Sequence, residues 1–132
     1  MARPVMEKSV DGQTGTGGGE HLETGGRITI SLFAIAPNLD TANDDLDVVL
    51  DGSMDGENWV EMSDLSLTTS DFEDVSGDGT SAALSTFHGA AVRYIRARVS
   101  SYTDADGDDL SVTAWVGASH NSDSARDYRQ IG

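Results

Sequence analysis

The sequence predicts an all-β protein: an antiparallel β-sandwich, jelly-roll or immunoglobulin-like, with extended N- and C-terminal arms. Three observations predict it. Several segments alternate with a period of two: Leu46, Val48 and Leu50 with Asp47, Val49 and Asp51; Ile95, Ala97 and Val99 with Tyr94, Arg96 and Arg98; Leu110, Val112, Ala114 and Val116 with Ser111, Thr113 and Trp115. These segments are separated by Gly/Asp clusters that suit tight connections. No segment carries a sustained helical period.

Taken in order, Pro4 to Val10 reads as a short strand or an extended arm, and Asp11 to Gly19 (DGQTGTGGG) as a flexible Gly/Thr-rich loop. That loop has no Gly-Lys-Ser/Thr ending, so it is no phosphate loop. Arg27 to Ala36 is a strand with Ile28, Ile30, Leu32 and Ala34 on one face and Phe33 and Ile35 on the other, stopped by Pro37. Asn38 to Asp45 is a loop with four oxygen ligands to offer.

Leu46 to Met62 is the central hairpin. It turns through Ser53, Asp55 and Gly56 and returns from Trp59. Ser63 to Ser81 is polar, anchored by Leu65, Leu67, Phe72 and Val75. Ala82 to Phe87, Val92 to Ser100 and Leu110 to Ser119 complete the strands, with Thr103 to Asp109 (TDADGDD) as a turn. The expected division is an arm and Gly-rich loop over 1–26, a sandwich over 27–119 and a tail over 120–132.

With 132 residues the chain suits one domain. No apolar run is long enough to span a membrane, and the N-terminus has no apolar core of a signal peptide. The absence of cysteine excludes disulfides and thiolate metal sites. The net charge of −15, from 23 acids against 8 Lys and Arg, argues against nucleic-acid binding, which needs clustered cations. The acids are dispersed along the chain. Two readings fit: an acidic partner-binding face, or a surface suited to high salt, where screening over about 3 Å at 1 M removes the self-repulsion.

Few residues point to chemistry. His21, His88 and His120 share no metal-ligand spacing, and in so acidic a chain a Ser-His-Asp or carboxylate pair carries no information. No enzymatic activity is expected. Asp104, Asp106 and Asp108, with Asp109 beside them, form a D-x-D-G-D turn that either holds Ca2+ or Mg2+ through converging carboxylates or is simply a solvated turn. Tyr94, Arg96 and Arg98 form a cationic stripe, read either as a partner surface or as the far half of cross-strand ion pairs with Asp47 and Asp51. Trp59 and Trp115 lie in predicted strands, so packing is favoured over sugar stacking.

Two family resemblances add to this. Ser53-Met54-Asp55-Gly56-Glu57-Asn58-Trp59 with Val92-Arg93-Tyr94-Ile95-Arg96 resembles discoidin-like carbohydrate-binding sandwiches, which implies attachment to a host surface. About residues 24 to 118 resemble small β-sandwich structural proteins of tailed viruses, in the order of a Gly-rich entry, an L-D-V-x-L-x-G-S-x-D-G-x-x-W hairpin, a Thr/Ser-rich middle and an R-Y-x-R-x-R strand. That second resemblance implies a non-enzymatic capsid decoration or accessory subunit. Its partners would be copies of itself, as a trimer or higher, and virion proteins such as the major capsid protein. It implies a place in the virion after synthesis in the host cytoplasm, without nucleic-acid or membrane contact. With the acidic composition it implies a salt-loving archaeal host.

Overall fold

The computed structural model describes residues 4–120. Eight strands carry almost all of the regular structure: β1 (Val5–Gln13), β2 (Gly17–Glu23), β3 (Thr29–Pro37), β4 (Asp45–Ser53), β5 (Val60–Leu67), β6 (Thr80–His88), β7 (Tyr94–Thr103) and β8 (Val112–Ser119), with one 3-10 turn at Thr69–Asp71. They form two four-stranded antiparallel sheets, ordered β1-β8-β3-β6 and β2-β7-β4-β5.

The pairing follows one rule. β1 pairs with β8, β2 with β7, β3 with β6 and β4 with β5. The chain is thus one long hairpin with its tip at the β4–β5 turn, rolled up so that β8 also meets β3 and β7 also meets β4. This is the jelly-roll of the two sandwich types the sequence allows.

The core follows from the alternation. Ile30, Leu32, Ala34 and Ala36 of β3, Leu46, Val48 and Leu50 of β4, Ile95, Ala97 and Val99 of β7, and Val112, Ala114, Val116 and Ala118 of β8 are buried between the sheets. Leu65, Leu67, Phe72 and Leu110 seal its ends. Val75, expected as an anchor, is 86% exposed because it sits in the turn stapled by Asp74.

Residues 5–23 correct the expected N-terminal arm, since they are strands of the sandwich itself. The glycines there serve close approach rather than flexibility. A Cβ on Gly19 would lie 1.8 Å from the Ser9 carbonyl oxygen. Ser9 sits at a register shift in β1, buried, and its hydroxyl donates to the Glu20 carbonyl (2.6 Å) and accepts from the Ala97 N–H (2.8 Å). Only a glycine lets β2 pass β1 closely enough for that bridge between the sheets. The expected C-terminal tail, 120–132, lies outside the described residues apart from His120.

Candidate functional site

Three places gather the residues singled out by the sequence: the loops at one end of the sandwich and the outer faces of the two sheets.

At the loop end, Asp104 and Asp106 meet Asp44, and one carboxylate oxygen of each lies within 4.8 Å of the others. Asp44 is the link. It is buried, accepting the Asp40 N–H (2.8 Å) within its own loop and the Ala105 N–H (2.9 Å) from the β7–β8 loop. Asp104 gathers the N–H groups of Gly107, Asp108 and Leu110. Desolvation pushes Asp104 upward, but the Leu110 N–H, the Asp106 carboxyl and the other backbone donors outweigh it and hold it below the usual carboxylate range. Asp106 is pushed up to about 6, by desolvation first and then by the proton it shares with Asp104. Asp108 and Asp109 stand outside this trio. The Asp108 N–H serves the turn, and Asp109 adopts a left-handed φ of 63° that reverses the chain into Leu110. The spacing of a hard-cation set is therefore met by Asp44, Asp104 and Asp106 rather than by the D-x-D-G-D run.

On the outer face of the β2-β7-β4-β5 sheet, the register sets Asp51 opposite Arg96 and Glu61. Asp51 is 1% exposed. It accepts Arg96 Nε at 3.1 Å and Arg98 Nε and Nη2 at 2.9 and 3.1 Å; Arg98 Nη2 also reaches Glu61 at 3.0 Å. Of the two readings of the stripe, cross-strand pairing holds for Asp51, while among the described residues Asp47 takes no arginine. Trp59 precedes β5 in the loop, not in a strand, and its ring covers the Arg96 guanidinium at 4.5 Å. His21 of β2 lies 5.9 Å from Trp59 and 5.4 Å, edge-on, from Tyr94.

The Ser53-Asp55-Gly56 motif builds the turn beneath this cluster. Asp55 Oδ1 accepts the Glu57 and Asn58 N–H groups and the Ser53 hydroxyl, and Gly56 takes a left-handed φ of 78° beside the Tyr94 ring. Those donors, the Asn58 and Glu57 N–H groups first, hold the Asp55 carboxyl far below its ordinary range.

The outer face of the β1-β8-β3-β6 sheet differs in kind. Its register aligns Lys8, Trp115, Phe33 and Leu84 in one row, Met6, Gly117, Ser31 and Thr86 in the next, and Thr113, Ile35 and Ala82 on the other side. None of these residues is acidic, in a chain with 23 acids, although Glu73 is bridged to Ala82 at the margin of the third row. Met6 is 71% and Leu84 66% exposed. Trp115 packs on Phe33 (5.6 Å) and under Lys8 Nζ (5.8 Å), and with Met6, Ser31 and Leu84 it lines a shallow apolar groove of about 410 Å³. Trp115 is thus a surface residue of this patch.

Sequence reasoning offers the loop from Asn38 to Asp45 as a source of oxygen ligands without joining Asp44 to Asp104 and Asp106, and does not bring His21 to Trp59 or Phe33 to Leu84. The first two sets converge only in three dimensions; the third is legible in the Phe33/Ile35 face of β3.

Among known proteins, no family model matches the chain and no curated protein matches it. Among the solved structures that resemble it in backbone are the following three. The SPBc2 prophage-derived protein YomS is 13% identical, with 89% of this chain and 96% of that one covered, at a TM-score of 0.49. The Yersinia pseudotuberculosis-derived mitogen is 10% identical over 92% and 89% of the two chains, at 0.40. A chain of infectious bursal disease virus, Gx strain, is 8% identical over 89% of this chain and 32% of that one, at 0.45. These are likenesses of outline, and function is argued from this chain's own surface.

Proposed function

We propose that this chain is a non-enzymatic structural protein of a virion, a capsid decoration or accessory subunit. It assembles with copies of itself, as a trimer or higher, and with other virion proteins such as the major capsid protein. The observation that carries the reading is the acid-free centre of the β1-β8-β3-β6 face, whose carboxylates, Glu73 beside Ala82 among them, stand at its margin. Two copies with a charge of −15 repel each other, and that repulsion is least where no carboxylate meets another. Met6, Phe33, Leu84 and Trp115 supply an apolar patch at the centre of that face.

The three rows span four strands, an area of a few hundred Å², on the order of half the ~800 Å² per partner of a stable pair. One such contact is weak. Repeated across a shell, many such contacts hold firmly. The edge strand β1 is broken by the shift at Ser9, which blunts edge-to-edge pairing there and favours association through the face.

Sedimentation equilibrium in molar salt, paired with immunoblots of purified particles, tests the proposal. Wild type is expected to associate and to travel with particles, and Leu84→Asp to do neither. A wild-type chain that stays monomeric at every concentration and is absent from particles overturns it.

A further inference from the structure

On the opposite sheet, we propose that Arg96 is the clamp of a ligand site for a single carboxylate carried on a flat or ringed body. The guanidinium has five N–H donors. One, Nε–H, is spent on Asp51, and among the described residues the four at Nη1 and Nη2 donate to no protein atom. The side chain is only 25% exposed. No buried side-chain nitrogen among the described residues lacks a partner, so these four donors face solvent, where a ligand's oxygens can take the place of water.

The group is also fixed in place. Asp51 holds Nε and the Trp59 ring covers one face. The backbone of Gly18 lies so close that a Cβ there would come within 2.9 Å of Cζ. The glycine therefore makes room for the guanidinium on β2, opposite β7. The terminal edge of an arginine held this way matches the two oxygens of a carboxylate.

The surroundings set the ligand's body and charge. His21, Tyr94 and Trp59 bring three rings beside the clamp, and neither the Trp59 indole N–H nor the Tyr94 hydroxyl has a protein hydrogen-bond partner among the described residues. Rings with free donors suit a flat body with polar edges. Arg96 and Arg98 balance Asp51 and Glu61, and Arg93 stands 3.9 Å from Glu23, while Asp55 and Glu57 of the neighbouring turn add negative charge at the rim of the patch. A monoanion placed at the arginines keeps its single charge on the cationic centre of the patch. A polyanion meets the field of the whole chain. This site is independent of the assembly face, and either proposal can fail alone.

Titration of the full chain in molar salt, followed by amide and side-chain NMR, tests it with glucuronate and benzoate as carboxylates and glucose and benzamide as their neutral counterparts. At least one carboxylate is expected to shift the resonances of His21, Trp59 and Arg96 while its neutral counterpart does not; which one binds tells a sugar acid from a simple acid. Arg96→Gln should weaken that binding about tenfold or more. Gly18→Ala, which keeps the charge but displaces the guanidinium, should do likewise. Equal shifts from the neutral compounds, no shift from either carboxylate, or unchanged affinity in both variants overturns the proposal.

Discussion

The two outer faces of one jelly-roll solve the same problem in opposite ways. The β2-β7-β4-β5 face spends its charges on itself: Asp51 sits under Arg96 and Arg98, Glu61 completes the set, and Trp59 lies over Arg96. The β1-β8-β3-β6 face has almost no charge to spend and leaves Leu84 and Met6 in water. The first face is stabilised within the monomer. The second has surface whose burial would be worth roughly 25 cal/mol per Å² to whatever covers it. The acids of a −15 chain are thus not an even coat. They are held out of the centre of one face, and on the other Asp51 and Glu61 are paired with Arg96 and Arg98.

The largest effect should come from the residue that lets both faces exist. Gly19→Ala places a Cβ against the Ser9 backbone and prises β2 from β1. A loss of about 3 kcal/mol or more is expected in urea unfolding, against less than ~0.5 for the exposed Gly77→Asn, whose left-handed φ of 72° asparagine tolerates. Next, Asp51→Asn removes the anion beneath two arginines. Breaking a fully buried pair costs about 3–5 kcal/mol, but Arg96 and Arg98 are 25% and 31% exposed and can rehydrate, so about 2 is expected. Phe33→Ser on the other face should cost less than Asp51→Asn, yet only Phe33→Ser should abolish association. A reversal of either order would dissolve the contrast between the faces. Both variants should unfold more readily in dilute buffer than in molar salt, as screening of the net charge demands; equal stability in the two would remove the high-salt reading of the composition.

How far the sequence foretold this depends on the range of the interaction involved. Strand alternation is local, so β3, β4, β7 and β8 were readable, and with them the core from Ile30 to Val116. The motif at Ser53 to Gly56 was legible as a turn because its bonds join residues two or three apart. β1 is one of two readings of Pro4 to Val10, strand or arm, and the start of β2 is taken for a loop because Gly17 to Gly19 has a loop's composition. These glycines answer to Ser9 and Arg96, which lie far away in sequence. Asp44 lies in a loop legible as a source of oxygen ligands, but its link to Ala105, 61 positions on, is not legible, for the same reason. The Arg96 clamp depends on register, which places His21, Arg96, Asp51 and Glu61 on four neighbouring strands and appears in none of them singly.

The smallest expected effect belongs to the loop end, where neither face reaches. Asp106 is raised to about 6 in the folded chain, against 3.8 for the ordinary group. The folded state therefore binds more protons than the unfolded one between those values, and stability should rise as pH falls from 7 through 6 toward 4. Asp47 is raised too, by desolvation first and then by Asp45 and Asp71, and acts in the same direction. Asp55 and Asp104 are lowered, so what they contribute is lost only below the ordinary carboxylate range and leaves this window untouched. Thermal melts should show Tm climbing modestly from pH 7 to pH 5, with the climb reduced in Asp106→Asn; a flat or falling Tm would show that Asp104 and Asp106 do not share a proton. The same melts with Ca2+ test the cation reading of the trio. A cation must displace that proton, so a Ca2+-dependent rise at pH 7 that fades by pH 5 and is absent in Asp44→Asn would mark Asp44, Asp104 and Asp106 as its ligands, and no rise at either pH would leave them as the clasp between two loops.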